Sequence, residues 1–280
     1  MCLRQFAITL PMLAATLSAL PAQSHQLVSV GDHQLDVVRE GSGGPALVFE
    51  TGLADSLDSW LPTAHTVSEF TTTIAYSRAG FGRSSAGSSD HSVTHDVQDL
   101  HALLQALAIK PPFILVAHSY GGIIARLYVS TYPRDVAGIV LVDGTHEQQV
   151  ERWNAIDSTY APAFRKVFDS MATQTPPGAR AAEIRETMKI QAAGGVPGLT
   201  PLPDIPMAII TSMRANDSSR YVNDTRRGHE LWRAMHDEWF RRSRNAIHIV
   251  TTHSGHDIAG DEPALVEMAI RFVLDRVRAQ

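Results

Sequence analysis

The chain has 280 residues, with 24 Lys plus Arg against 29 Asp plus Glu and a formal charge of −5. At 44% hydrophobic and 19% charged residues it is too apolar for a disordered chain and too interrupted for a multi-span membrane protein. The mild acidity leaves no basic excess for phosphate contacts, which excludes nucleic acid as the main partner, and the length allows a large core without a disulfide or metal staple.

Residues 1–24 have the pattern of an export leader: Arg4 ahead of the uncharged apolar run Phe6–Leu20, then small or polar residues in Ala22-Gln23-Ser24. The run is shorter than the roughly 20 residues of a membrane span, so the expectation is a signal peptide and a periplasmic or secreted chain with no membrane span. Cys2, the single cysteine, lies in that leader, so no disulfide framework is expected in the rest.

From residue 25 onward strands and helices alternate. Gln26–Val30 and Gln34–Arg39 flank Gly31-Asp32 as a hairpin. Short apolar runs follow at Ala46–Glu50, Thr71–Tyr76, Phe113–Ala117, Gly138–Val142, Met207–Thr211 and Ala246–Thr251. Continuous apolar strands of this kind suit a mostly parallel sheet covered on both faces. Between them, a helix capped by Thr94 carries Val97, Leu100, Leu103, Leu104 and Leu107. Another runs from about Arg226 to Arg244 and a last one from Pro263 to about Arg278. Repeated strand–helix units predict one α/β domain over residues 25–280. About 60 residues between Val142 and Met207 break the rhythm with helical pieces at Gln148–Ala155, Ala161–Met171 and Ala179–Gln191. An insertion of this size predicts a helical lid over about residues 146–204.

The most specific motif is Phe113-Ile114-Leu115-Val116-Ala117-His118-Ser119-Tyr120-Gly121-Gly122. A buried strand enters a small-x-Ser-x-Gly turn and leaves it as a helix, the setting of a nucleophile elbow. The turn requires small residues two before and two after the serine, here Ala117 and Gly121. It would expose Ser119 Oγ and aim Tyr120 N–H at a developing oxyanion.

A serine hydroxyl needs a base within hydrogen-bond reach. Of 13 histidines, His256 is placed best, on the loop Thr252-His253-Ser254-Gly255-His256-Asp257 between the last strand and the last helix. His253 is its neighbour and rival, but no third ligand accompanies the pair, so no metal and no cofactor is called for. His118 is expected to point away from Ser119, His146 to line the pocket mouth, and His229 and His236 to serve the helix surface or packing. For the acid there are two candidates. Asp143 lies at the tip of the strand Gly138–Val142, and Asp217 in a polar loop several residues past Met207–Thr211. Asp143 is favoured because rigid elements hold geometry better than loops, with Asp217 as the alternative acid.

Taken together these residues resemble the α/β-hydrolase superfamily, most closely its serine esterase-like, lidded members, over about Val30 to Val277. Glu50-Thr51-Gly52-Leu53-Ala54-Asp55-Ser56, followed by Trp60, is similar to their oxyanion loop, although many relatives have His-Gly where this chain has Thr51-Gly52 with Glu50 before it. Ser77-Arg78-Ala79-Gly80-Phe81-Gly82-Arg83-Ser84 is similar to their arginine-glycine turn. The resemblance implies an α/β-hydrolase fold, Leu53 N–H as the second oxyanion donor beside Tyr120, and an architectural role for Arg78. Relatives such as epoxide hydrolases and haloalkane dehalogenases use an aspartate at the elbow, and Ser119 argues against both. The implied activity is hydrolysis of a small or medium carboxylic ester through an acyl-enzyme. A lactonase or C–C bond hydrolase with the same three residues, or a ligand-sensing protein that retains them, are the alternatives.

Overall fold

A computed structural model describes residues 24–87 and 90–280. The expected leader and Cys2 therefore lie outside the described residues, apart from Ser24. In chain order the elements are strands β1 (His25–Val30), β2 (His33–Glu40) and β3 (Leu47–Glu50), helix α1 (Leu61–Val67), strand β4 (Thr73–Tyr76), helix α2 (Val93–Ala106), strand β5 (Phe113–His118), helix α3 (Gly121–Thr131) and strand β6 (Val136–Val142). Three helices follow, α4 (Gln149–Ile156), α5 (Tyr160–Gln174) and α6 (Ala179–Ala193). The chain closes with β7 (Met207–Ser212), α7 (Arg226–Phe240), β8 (Ala246–Thr251), the single turn α8 (Ile258–Asp261) and α9 (Pro263–Arg278).

The strands form one sheet in the order β1-β2-β4-β3-β5-β6-β7-β8. β1 and β2 pair antiparallel through the Gly31-Asp32 turn, with Val30 opposite His33, and β2 pairs antiparallel with β4. The remaining neighbours are parallel. Both faces of the central strands are buried, which is why their sequences are continuously apolar rather than alternating. Successive side chains point to opposite faces. Leu47 and Phe49 of β3 thus join a core with Ala64 of α1 and Val266, Ile270 and Leu274 of α9. Val48 between them joins Leu100 and Leu103 of α2 and Ile123 and Tyr128 of α3 on the other face. A third, smaller core of Val150, Trp153, Tyr160, Trp232 and Met235 ties α4 and α5 to α7.

Two expectations change in detail, and one helix is not anticipated. The cap of α2 is Ser92, whose extended backbone lets its hydroxyl accept from His95 N–H, and Thr94 is already helical. Helix α7 stops at Phe240, because the residues after it are polar and offer nothing to bury. The short α1, which no long periodic run announces, is held by Trp60, Ala64 and Val67 at i, i+4, i+7 spacing, all buried. Among the described residues no helix is long and apolar enough to cross a membrane.

Candidate active site

The parallel order brings the C-terminal ends of β3, β5, β6, β7 and β8 to one edge of the sheet, the edge where ligands bind in open α/β sheets. At the end of β5 the backbone turns sharply into α3 with Ser119 at φ +51°. A left-handed conformation at a residue with a Cβ costs roughly 1–2 kcal/mol and persists only where the surroundings over-determine it. They do so here. Ser119 N–H donates to Val142 O at 3.2 Å, and Ser119 O accepts from Gly122 N–H and Thr145 N–H, both at 2.9 Å. A Cβ on Gly121 would stand 2.5 Å from Thr51 O, so only glycine lets α3 close against the loop after β3.

Ser119 Oγ lies 2.8 Å from His256 Nε2. His256 Nδ1–H donates to Asp143 Oδ2 at 2.6 Å. The other carboxylate oxygen, Asp143 Oδ1, accepts from Ser212 N–H at 3.0 Å and from Trp232 Nε1–H at 2.8 Å. Burial alone would raise the Asp143 carboxyl, but the hydrogen bond and charge of His256, with the nearby His236 and Ser212 N–H, pull it below the usual range. At His256 the loss of solvation disfavours the imidazolium, and the hydrogen bond and charge of Asp143 outweigh that loss, so its pKa is raised.

The other candidates are placed differently. Asp217 Oδ1 accepts from Arg226 N–H at 2.8 Å at the start of α7, and it is not among the residues around His256. His253 is exposed, its N–H bonded to Thr251 Oγ1. His118, expected to point away, instead lines the cavity and donates from Nε2 to the His256 carbonyl at 2.9 Å. Burial and the neighbouring His256 lower its pKa to about 4, which keeps it neutral. His146, expected at the pocket mouth, is buried and stacked on Trp239. Its neighbour across that ring, His236, is fully buried, the packing role of the two expected for it, and donates to Gly144 O at 2.8 Å. Asp257 caps α8 through Gly260 N–H.

Leu53, in the loop after β3, and Tyr120, at the N-terminus of the eleven-residue α3, both line the cavity above Ser119. The positive end of the α3 dipole favours negative charge there. The cavity has a volume of about 970 Å³. Its upper wall comes from the segment between β6 and β7, through Trp153, Tyr160, Phe164 and Phe168, and its far side from Asn216 and Tyr221 after β7. Met171 lies over a smaller neighbouring hollow.

Sequence patterns had no means of marking Trp232, since its spacing only marks the apolar face of α7. A tryptophan indole N–H that is buried nevertheless needs an acceptor, and here the acceptor is Asp143. Arg78 is buried at 2% exposure in contact with Glu50 and Glu183.

A family model described as alpha/beta hydrolase fold matches residues 45–189. The uncharacterized protein YqjL of Bacillus subtilis is 25% identical over 232 residues, 83% of this chain and 84% of that protein. Among solved structures, a thermophilic esterase from Thermogutta terrifontis superposes with a TM-score of 0.64 at 17% identity, covering 91% of this chain and 99% of that one. The enol-lactonase from Burkholderia xenovorans LB400 superposes with a TM-score of 0.61 at 15% identity, covering 88% and 99%. At such identities these structures speak for the fold, and it agrees with the sheet order, the elbow and the family match: the chain belongs to the α/β hydrolase fold family.

Proposed function

We propose that this hydrolase cleaves a small or medium carboxylic ester through an acyl-enzyme on Ser119. The observation that carries the reading is the 2.8 Å contact between Ser119 Oγ and His256 Nε2 on the floor of an aromatic-lined cavity. Ser119 Oγ attacks the ester carbonyl carbon as its proton passes to His256 Nε2. Asp143 fixes the ring with Nδ1 protonated and stabilises the imidazolium, and Trp232 and Ser212 N–H keep the carboxylate in place. Leu53 and Tyr120 N–H groups receive the negative oxygen of the tetrahedral intermediate. Collapse of that intermediate breaks the bond to the alcohol, which leaves with the proton from Nε2. Water, activated by the same nitrogen, then releases the acid and restores Ser119.

The volume near 970 Å³ suits a ligand of medium size, and the aromatic side chains Trp153, Tyr160, Phe164 and Phe168 suit an apolar acyl or alcohol group. In this reading the α4–α6 segment acts as a lid that keeps water from the acyl-enzyme. The test is a panel of p-nitrophenyl esters, lactones and amides with wild type and Ser119→Ala. Wild type is expected to turn over short and medium esters fastest, and Ser119→Ala to lose about 10⁴-fold or more. A Ser119→Ala variant with wild-type rates would overturn the reading, and a clear preference for lactones would replace ester with lactone.

A further inference from the structure

We propose that Glu183, carried by α6 in the segment between β6 and β7, is a positioning residue that works with Arg78 and Arg180 to fix the backbone of residues 51–54, so that Leu53 N–H is presented to the acyl oxygen. The inference rests on the serine-hydrolase reading above and assigns a role to a group that does not itself line the cavity.

The loop after β3 is gripped at four backbone groups. Arg78 Nη1–H donates to Thr51 O at 2.9 Å and Arg78 Nη2–H to Gly52 O at 2.7 Å. Two residues on, Ala54 N–H donates to Glu183 Oε2 at 2.8 Å, and Ala54 O accepts from Arg180 Nη2–H at 3.1 Å. Leu53 lies between these two pairs of anchors. Both grips on Ala54 come from α6, and Ala54 has φ +58°, a left-handed backbone that a residue with a Cβ keeps only under constraint. The two sides of the grip are one unit. Arg78 donates from Nε to Glu183 Oε1 at 2.6 Å and from Nη2 to Glu183 Oε2 at 3.1 Å, a fork on a carboxylate that is fully buried. Arg78 Nη1 also reaches Glu50 Oε1 at 2.7 Å, and Glu50 accepts from Tyr76. The start of α6 is seated on the same turn, where a Cβ on Gly80 would stand 2.5 Å from the Ala179 Cβ. Glycine at that position lets the helix come close enough for Glu183 to reach Ala54.

A buried carboxylate that spans from an inserted helix to the residue beside a proposed oxyanion donor does more than hold the helix down. It makes the position of Leu53 N–H depend on the docking of α6. A donor displaced by less than an ångström no longer meets the oxyanion, because stabilisation by a preorganised donor depends on that distance.

The experiment uses the full chain with p-nitrophenyl butyrate, and active sites counted with a fluorophosphonate. Glu183→Gln keeps the side-chain shape and one acceptor oxygen but loses the charge and the second acceptor. It is expected to lower kcat per titrated site by about 10- to 100-fold, less than the full loss of one oxyanion donor, with KM changed by less than about threefold. Arg180→Met, at an exposed position, removes only the grip on Ala54 O and is expected to lower kcat by about 3- to 10-fold with a folded chain. A merely structural role would reduce the number of titratable sites and leave kcat per site unchanged. Folded Glu183→Gln with wild-type kcat per site overturns the proposal. If Glu183→Gln does not fold, wild-type kcat in Arg180→Met overturns it instead. Ser119→Ala separates the two claims: wild-type hydrolysis there removes the serine-hydrolase reading itself, whereas its loss beside an unaffected Glu183→Gln removes only the positioning role.

Discussion

The two halves of the candidate site are held by different means. Ser119 and Asp143 sit at the ends of adjacent parallel strands, and His256 follows the end of β8. Their spacing is set by the strand ladder and by backbone bonds such as Asp143 N–H to Ile210 O at 2.8 Å. The loop 51–54 leaves the end of β3 but takes its shape from side chains: Arg78 from the turn after β4, and Arg180 and Glu183 from the inserted α6. The serine–histidine–aspartate side is thus built into the sheet. The loop that carries the proposed donor Leu53 is held instead by side chains of a helix from a separate segment, whereas Tyr120 shares the elbow with Ser119. A change in the segment between β6 and β7 would therefore reach the 51–54 loop before it reached Ser119.

The sharpest way to break this contrast lies on the sheet side. Asp143→Asn is expected to lower kcat/KM by about 10³–10⁴-fold, because the ring loses its charged partner and the correct tautomer. Asp217→Asn, in an exposed loop whose carboxylate only bonds the start of α7, is expected to stay within about twofold of wild type. The same pair reads out the base. In the proposed mechanism neutral His256 is the active form, so activity should fall as pH drops through its raised pKa, and the acid limb should lie above the ordinary imidazole value of about 6.5. In Asp143→Asn that limb should move down. Equal losses in the two variants, or an unmoved limb, would remove Asp143 from its role.

A smaller effect concerns stability. Burial lowers both His146 and His236 to about 4, and these residues pack around Trp239 beside the β6 tip. Their folded-state values lie below the unfolded one, so the unfolded chain binds more protons as pH falls from about 6.5 toward 4, and stability declines through that window. For His236 alone the loss is on the order of 2–3 kcal/mol at most. Urea midpoints between pH 7.5 and 4.5 should therefore fall steadily. Midpoints that stay level would show that the sheet-edge histidines are not held neutral, and would narrow the difference between the two halves.

Legibility in the sequence follows the same division. The strands are legible because both faces of the sheet are covered and their runs are continuously apolar, as Leu47–Glu50 and Met207–Ser212 illustrate. The elbow is legible because a serine flanked by Ala117 and Gly121 after such a run has few other uses. Asp143 and His256 are legible as candidates because strand order places both at one edge, although only coordinates show which carboxylate His256 touches. Short α1 and the end of α7 are less so, since local spacing over seven residues, or a polar tail, carries little signal. Glu183 is not legible at all. It lies over a hundred residues from Arg78 in sequence, among alternating charges on α6, and nothing in that helix marks one glutamate as buried. His118 and His146 fail for a related reason, because the direction of a side chain at a turn is set by tertiary neighbours and not by its own residue type.

Covalent chemistry at Ser119 is the centre of the proposed mechanism and is open to direct measurement. Rapid acid quench of the wild-type chain during turnover of a slowly deacylated p-nitrophenyl ester, followed by peptide mass spectrometry, should find the acyl mass on the peptide that contains Ser119. The amount should match the burst of nitrophenol, and both should vanish in Ser119→Ala. Steady turnover with no acylated Ser119, or an acyl mass on another residue, would contradict it.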